Sequence, residues 1–163
     1  MRVRISRVDP SIPLPRYETP GAAAFDLCAR LTCTVDPRAV ERVPANVVIE
    51  VPEGFSLVVA LRSSTPARYG LIHPHGIGIV DRDFCGPDDE IAVQVYNPGD
   101  EPITVERGAR IAQALLVPVM TCDWEEADVS GRASRGGFGS TGHHTDVSHH
   151  PAAVDELHRE QGQ

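Results

Sequence analysis

A chain of 163 residues, 41% hydrophobic and 23% charged, is the size of one globular domain with a sizeable core. Its net charge of -8 argues against a nonspecific nucleic-acid or anionic-membrane binder, which needs a basic face to neutralise phosphates. All fifteen cationic residues are Arg and none is Lys, a bias expected of a GC-rich genome, so any phosphate chemistry must come from individual guanidiniums in local context.

The N-terminus MRVRISRVDP is charged and has no apolar signal region. The most apolar late run, Ile111 to Met120, is broken by Gln113 and Pro118 and is far shorter than a bilayer span. The sequence therefore predicts a soluble, cytoplasmic protein with no membrane partner. Cys28, Cys33, Cys85 and Cys122 show neither a C-x-x-C pair nor zinc spacing and read as reduced thiols, mostly packed in the core.

Fourteen Pro and fourteen Gly leave room for short strands and hardly for a long helix, which predicts an all-β fold. Val3, Ile5 and Val8 begin it. Asn46 to Val51 and Phe55 to Leu61 are expected to form a hairpin around Pro52-Glu53-Gly54. In Glu90 to Asn97, Ile91, Val93 and Val95 alternate with Ala92, Gln94 and Tyr96, the period of a strand with one buried face, before the turn Pro98-Gly99-Asp100. Arg110 to Val119 places Ile111, Gln113, Leu115, Val117 and Val119 on one face by the same period, so an amide sits among apolar neighbours. Left unpaired and buried it would cost about 1 to 3 kcal/mol, so Gln113 needs backbone, water or a ligand at the sheet edge. Residues 130–142, SGRASRGGFGSTG, hold no aliphatic residue larger than Ala and cannot build a core. Residues 143–163 carry five of the seven His and read as a solvated tail.

Four segments join loop-forming glycine to polar groups. In Pro20-Gly21-Ala22-Ala23-Ala24-Phe25-Asp26-Leu27, small residues permit close approach of another chain or ligand beside one carboxylate. Leu61-Arg62-Ser63-Ser64 sets a guanidinium and hydroxyls at a strand end, an anion site or an ordinary surface turn. In His75-Gly76-Ile77-Gly78-Ile79-Val80-Asp81-Arg82-Asp83-Phe84, extended backbone would put Asp81 and Asp83 on one side, as general bases and metal sites require; a solvated acidic turn is the competing reading. The Gly-rich segment carries Arg135, Phe138, Ser140 and Thr141, suited to phosphate, base stacking and phosphate oxygens.

Taken in order, PGAAAFDL, RSS, GIGIVDRDF, ERGARIAQ and SRGGFGSTG resemble the five motifs of the trimeric dUTP diphosphatases (dUTPases) across residues 1–142. The resemblance implies a jelly-roll β-barrel of residues 1–129 that forms homotrimers with three active sites at subunit interfaces. Each site would be closed by an arm, residues 130–142, from another subunit. It implies hydrolysis of dUTP to dUMP and pyrophosphate by water attacking the α-phosphorus, with Mg2+ held by the substrate phosphates. That reaction limits uracil in DNA and supplies dUMP for thymidylate synthesis. By match, Asp81 would orient and deprotonate the water. Arg62, Ser63, Ser64 and Gln113 would meet the phosphates, and the backbone of His75, Gly76, Ile77, Gly78 and Ile79 would read uracil. Arg135 would hold the γ-phosphate with Gly139, Ser140 and Thr141 assisting, and Phe138 would stack on the base. Asp26, through metal-bound water, and Asp83 would support the site. Phe84 stands where most members carry the Tyr whose ring packs under the deoxyribose.

Two rivals remain. The related dCTP deaminases, some bifunctional, need a proton-shuttling Glu where this chain has Gln94, an amide that cannot do that work. A dUTPase-like fold acting as a nucleotide-responsive regulatory partner would instead keep its effect when Asp81 is neutralised.

Overall fold

Ten short strands and one helical turn make up the fold in the computed structural model, which describes residues 1–128, 130–137 and 140. The chain divides into two units, Met1–Cys122 and Asp123–Gln163. In chain order the first unit holds β1 (Arg4–Arg7), β2 (Phe25–Cys28), β3 (Cys33–Val35), β4 (Val40–Pro44), β5 (Val47–Glu50), β6 (Phe55–Leu61), α1 (Ser64–Tyr69), β7 (Gly78–Val80), β8 (Ala92–Tyr96), β9 (Ile103–Val105) and β10 (Arg110–Pro118). A four-stranded sheet runs β2-β10-β6-β7, and β1-β5, β3-β9 and β4-β8 pair two by two, every pairing antiparallel. The result is the expected all-β, jelly-roll-type fold.

Period-2 patterning places the core. Val93 and Val95 of β8, with Ile91 just before it, are buried and face Leu27, Val43, Leu57, Val59, Leu71 and Val105 in one cluster. Each such side chain removed from water contributes about 1.5 to 3 kcal/mol. Two buried amides supply what the strands cannot. Asn97 donates to the carbonyls of Val35 and Glu101 at 3.0 and 2.8 Å and accepts from Gly99 N at 2.9 Å, fixing the turn at 98–100. Asn46 exchanges bonds with Asp9 and donates its own backbone N–H to Glu90 Oε1 at 2.7 Å, tying the N-terminal segment to the body.

Several expectations give way. Residues 52–55 do turn, with Phe55 N donating to Pro52 O at 3.1 Å, but β5 pairs with β1 while β6 pairs with β10 and β7, so no hairpin forms. Turn chemistry fixes that the chain reverses and says nothing about which sheet takes the next strand. The thiols are not mostly core: Cys28 and Cys33 are half-buried, and Cys85 and Cys122 are exposed. Nor is Ile111 on the face of Gln113. An irregularity between Arg110 and Ala112 shifts the parity of β10, so that Ile111, Ala112 and Ala114 all enter the core while Gln113, Leu115 and Val117 stay half-buried. Among the described residues, no helix is long and apolar enough to cross a membrane.

Candidate functional site

A cleft of about 450 Å³ opens beside β7, lined by His73, His75, Gly78, Ile79, Asp81 and Phe84 on one side and Arg42, Glu90 and Gln94 on another. The wall is a tight reversal. Gly76 N donates to His73 O at 3.3 Å and Ile77 N to His75 O at 3.0 Å, with Gly76 at φ +81°, a backbone state that glycine adopts without a Cβ penalty. Gly78 then pairs with Val59, and a Cβ there would stand 3.4 Å from the Val59 side chain, in van der Waals contact, so β7 packs closely on β6 at this point. β7 ends at Val80, leaving Asp81 exposed at the strand terminus.

Phe84 N donates to Asp81 O at 3.3 Å, which bends residues 81–84 into a turn. Asp81 and Asp83 therefore do not share the face that extended backbone would have given them. Asp83 lines a different cleft with Arg2, Arg4, Glu50 and Arg82.

The second constellation sits where β2, β10 and β6 run side by side. Asp26 and Gln113 are register partners, and Gln113 Nε2 donates to Leu61 O at 3.3 Å, a backbone partner for the half-buried amide. Arg62 Nε lies 3.0 Å from Asp26 Oδ1, and Arg110 Nη1 lies 3.0 Å from Asp26 Oδ2 and 3.1 Å from Glu18. Arg62 Nη1 also donates to the Arg110 carbonyl at 3.3 Å. Ile111 O, freed at the irregularity in β10, accepts from Arg62 N and from Thr65 Oγ1 at 3.1 and 2.7 Å, docking α1 against the sheet. Ser63 occupies the N-cap of α1 with no capping bond from its side chain, so the Ser63 hydroxyl is not committed to the helix. Arg110 belongs to the quoted ERGARIAQ motif, yet nothing in its spacing set it apart; its role emerges only once β2 lies beside β10.

The two constellations begin at opposite ends of β6. Val80 pairs with Leu57, whereas Arg62 follows Leu61; five residues of strand separate them by roughly 17 Å. Within the second unit, Ser130 N donates to Asp128 Oδ1 at 2.8 Å, holding that carboxyl below its usual range, and Ser140 N donates to Gly137 O at 3.1 Å beside Gly136 at φ +80°. Arg135 is exposed. Phe138, Gly139, Thr141 and residues 143–163 lie outside the described residues.

His73 brings a pH dependence. Burial, and after it the neighbouring His75 ring, push the His73 imidazole below its ordinary value of 6.5. The unfolded chain then takes up this proton before the folded one, so stability is full above about pH 6.5 and falls as pH drops toward the depressed folded value. A His73→Phe variant should lose part of the fall in melting temperature seen between pH 7.5 and 5; an unchanged fall would assign it to other groups.

A family model described as dUTPase matches residues 10–142. The deoxyuridine 5'-triphosphate nucleotidohydrolase of Desulfitobacterium hafniense (strain DSM 10664 / DCB-2) is 40% identical over 147 residues, covering 87% of this chain and 95% of that protein. The crystal structure of dUTPase from Streptococcus mutans superposes with a TM-score of 0.69 at 28% identity, over 74% of this chain and 98% of that one. Staphylococcus bacteriophage 80alpha dUTPase, solved with dUPNHPP, shares the fold at a TM-score of 0.76 and 19% identity, over 86% and 98%. An all-β chain with a glycine-bearing cleft wall and a carboxylate clamped between two guanidiniums is thus of a nucleotide-handling class. It belongs to the dUTPase family.

Proposed function

We propose that this chain hydrolyses dUTP to dUMP and pyrophosphate. The observation that carries the reading is the convergence of Asp81, the reversal at 75–78 and the Phe84 ring on one cleft, matched to a second set, Arg62, Asp26 and Gln113, at the far end of β6. Their separation along one strand supports an assembly in which each site draws on more than one copy, and we infer the homotrimer expected from the motifs.

In this mechanism Asp81 holds a water in line with the α-phosphorus and takes its proton as the new P–O bond forms. The bond to the bridging oxygen breaks and pyrophosphate leaves with that electron pair. Arg62, with the Ser63 and Ser64 hydroxyls and the Gln113 amide, meets the phosphate oxygens. A guanidinium about 4 Å from a phosphate charge gains roughly 4 kcal/mol at an effective dielectric of 20, before desolvation. Arg135, Phe138, Gly139, Ser140 and Thr141 of the arm, residues 130–142, cover the bound nucleotide. Phe84 packs its ring under the sugar. No role is proposed for Asp83, which faces another cleft.

Among the described residues, no group of three or more His, Cys, Asp or Glu is placed to hold a metal ion. Asp26, with Oδ1 paired to Arg62 and Oδ2 to Arg110, fits contact through water with a phosphate-borne ion rather than direct ligation. Mg2+ arriving with the triphosphate would neutralise charge that develops on the leaving pyrophosphate.

Deamination is not favoured. Gln94 lines the cleft where a shuttling Glu would be needed, and the carboxylate that is present, Glu90, is held by Arg30 at 2.8 Å through both oxygens and by Asn46 N at 2.7 Å. The test is release of pyrophosphate and of ammonia from dUTP, dCTP, dTTP and UTP, each with Mg2+ or EDTA. Pyrophosphate from dUTP, lost in EDTA, is the expected result. Ammonia from dCTP, or no product from dUTP, would overturn the reading.

A further inference from the structure

The wall of the cleft is pinned by a side chain. His75 Nδ1 stands 2.6 Å from the carbonyl oxygen of Ile77, and since a carbonyl can only accept, Nδ1 must carry the hydrogen. The ring that donates is itself held in place. His73 and His75 pack edge to face with centroids 4.2 Å apart at 79°, a favoured arrangement for aromatic rings. His73 in turn follows Ile72, whose N–H and C=O are bonded to Tyr96 of β8 at 3.0 and 2.8 Å. A run of contacts thus leads from the core strand β8 through Ile72 and the His73 ring to the His75 ring and on to the Ile77 carbonyl. Gly76, between the two bonded residues, offers no side chain to stiffen this reversal.

We propose that His75 is a positioning residue that fixes the Ile77 carbonyl and thereby sets the affinity and selectivity for the base. This rests on the reading of residues 75–79 as the backbone that meets uracil. The bond engages one lone pair of Ile77 O and turns the carbonyl toward residue 75. The second lone pair stays available, but its direction is fixed; a carbonyl released from this bond could turn and accept from an exocyclic amino group, which cytosine carries and uracil lacks. Keeping it engaged weakens the competing pyrimidine, and keeping the reversal in one conformation strengthens the right one.

The test compares His75→Leu and His75→Asn with the wild-type full-length protein, using dUTP and dCTP as substrates. A neutral hydrogen bond of ordinary strength corresponds to a change of about three- to tenfold. His75→Leu should raise KM for dUTP by that factor with kcat within about twofold, and should lower the preference for dUTP over dCTP. Asn can place its amide nitrogen where Nδ1 stands, so His75→Asn should recover most of the wild-type KM. A fall in kcat alone, an unchanged KM and preference in His75→Leu, or an Asn variant no better than Leu would overturn the proposal. Should His75→Leu unfold, His73→Leu, which removes the ring that holds His75, should move KM in the same direction. If the wild-type protein fails to hydrolyse dUTP, the failure lies in the underlying reading and not in the role of His75.

Discussion

Asp81→Asn keeps the fold and the affinity for dUTP while kcat falls by about a hundred- to ten-thousandfold, the usual worth of a positioned general base. The asymmetry follows from where Asp81 sits. Its side chain is exposed just beyond the last residue of β7, and the bond that shapes the local turn uses its backbone carbonyl, which accepts from Phe84 N. Asn preserves that carbonyl and the size of the side chain, but cannot take a proton from water. Steady-state kinetics, calorimetric binding of a non-hydrolysable dUTP analogue and the melting temperature separate the outcomes. Turnover near the wild-type value would remove Asp81 from the mechanism. Joint loss of binding and folding would make it a structural residue.

The second large effect is expected from ending the chain after Ser130. Every residue of the core cluster lies between Leu27 and Ala114, and the strands end with Pro118. The shortened protein should therefore keep its melting temperature within a few degrees and its oligomeric state. It should lose about a hundred- to a thousandfold in kcat/KM, the typical cost of deleting one preorganised charge-stabilising group, because Arg135, Ser140 and Thr141 go with the arm. Full activity of the truncated chain would show that residues 131–163 take no part in the site.

Much of this architecture was legible in the residues, for reasons that differ from place to place. Ile91, Val93 and Val95 declared their buried face because a strand with one wet side must alternate. Gln113 announced a need for a partner by polarity alone, and the backbone of Leu61 met it. What could not be read was anything fixed by non-local pairing. The destination of β6 after the turn at 52–54, the parity change at Ile111 and the divergence of Asp81 from Asp83 all depend on which strand lies alongside, or on a single turn bond from Phe84 N. The His73–His75 contact escaped for a related reason: the edge-to-face pair at 4.2 Å forms within the turn at 73–76, which Gly76 N closes by donating to His73 O. Asn46 and Asn97, both fully enclosed, look from sequence like ordinary loop asparagines.

The placement of Arg62 just after β6 and of Asp81 just after the antiparallel neighbour β7, at opposite ends of that strand pair, has a genetic corollary under the proposed assembly. In such an assembly no copy would own a site outright; each would lend a phosphate-gripping half to one neighbour and a water-activating half to another. Damage to one gene copy would then spread beyond its own product, silencing sites built partly from sound subunits. Conversely, two alleles broken at different halves would retain, in mixed trimers, some sites in which both contributions are intact.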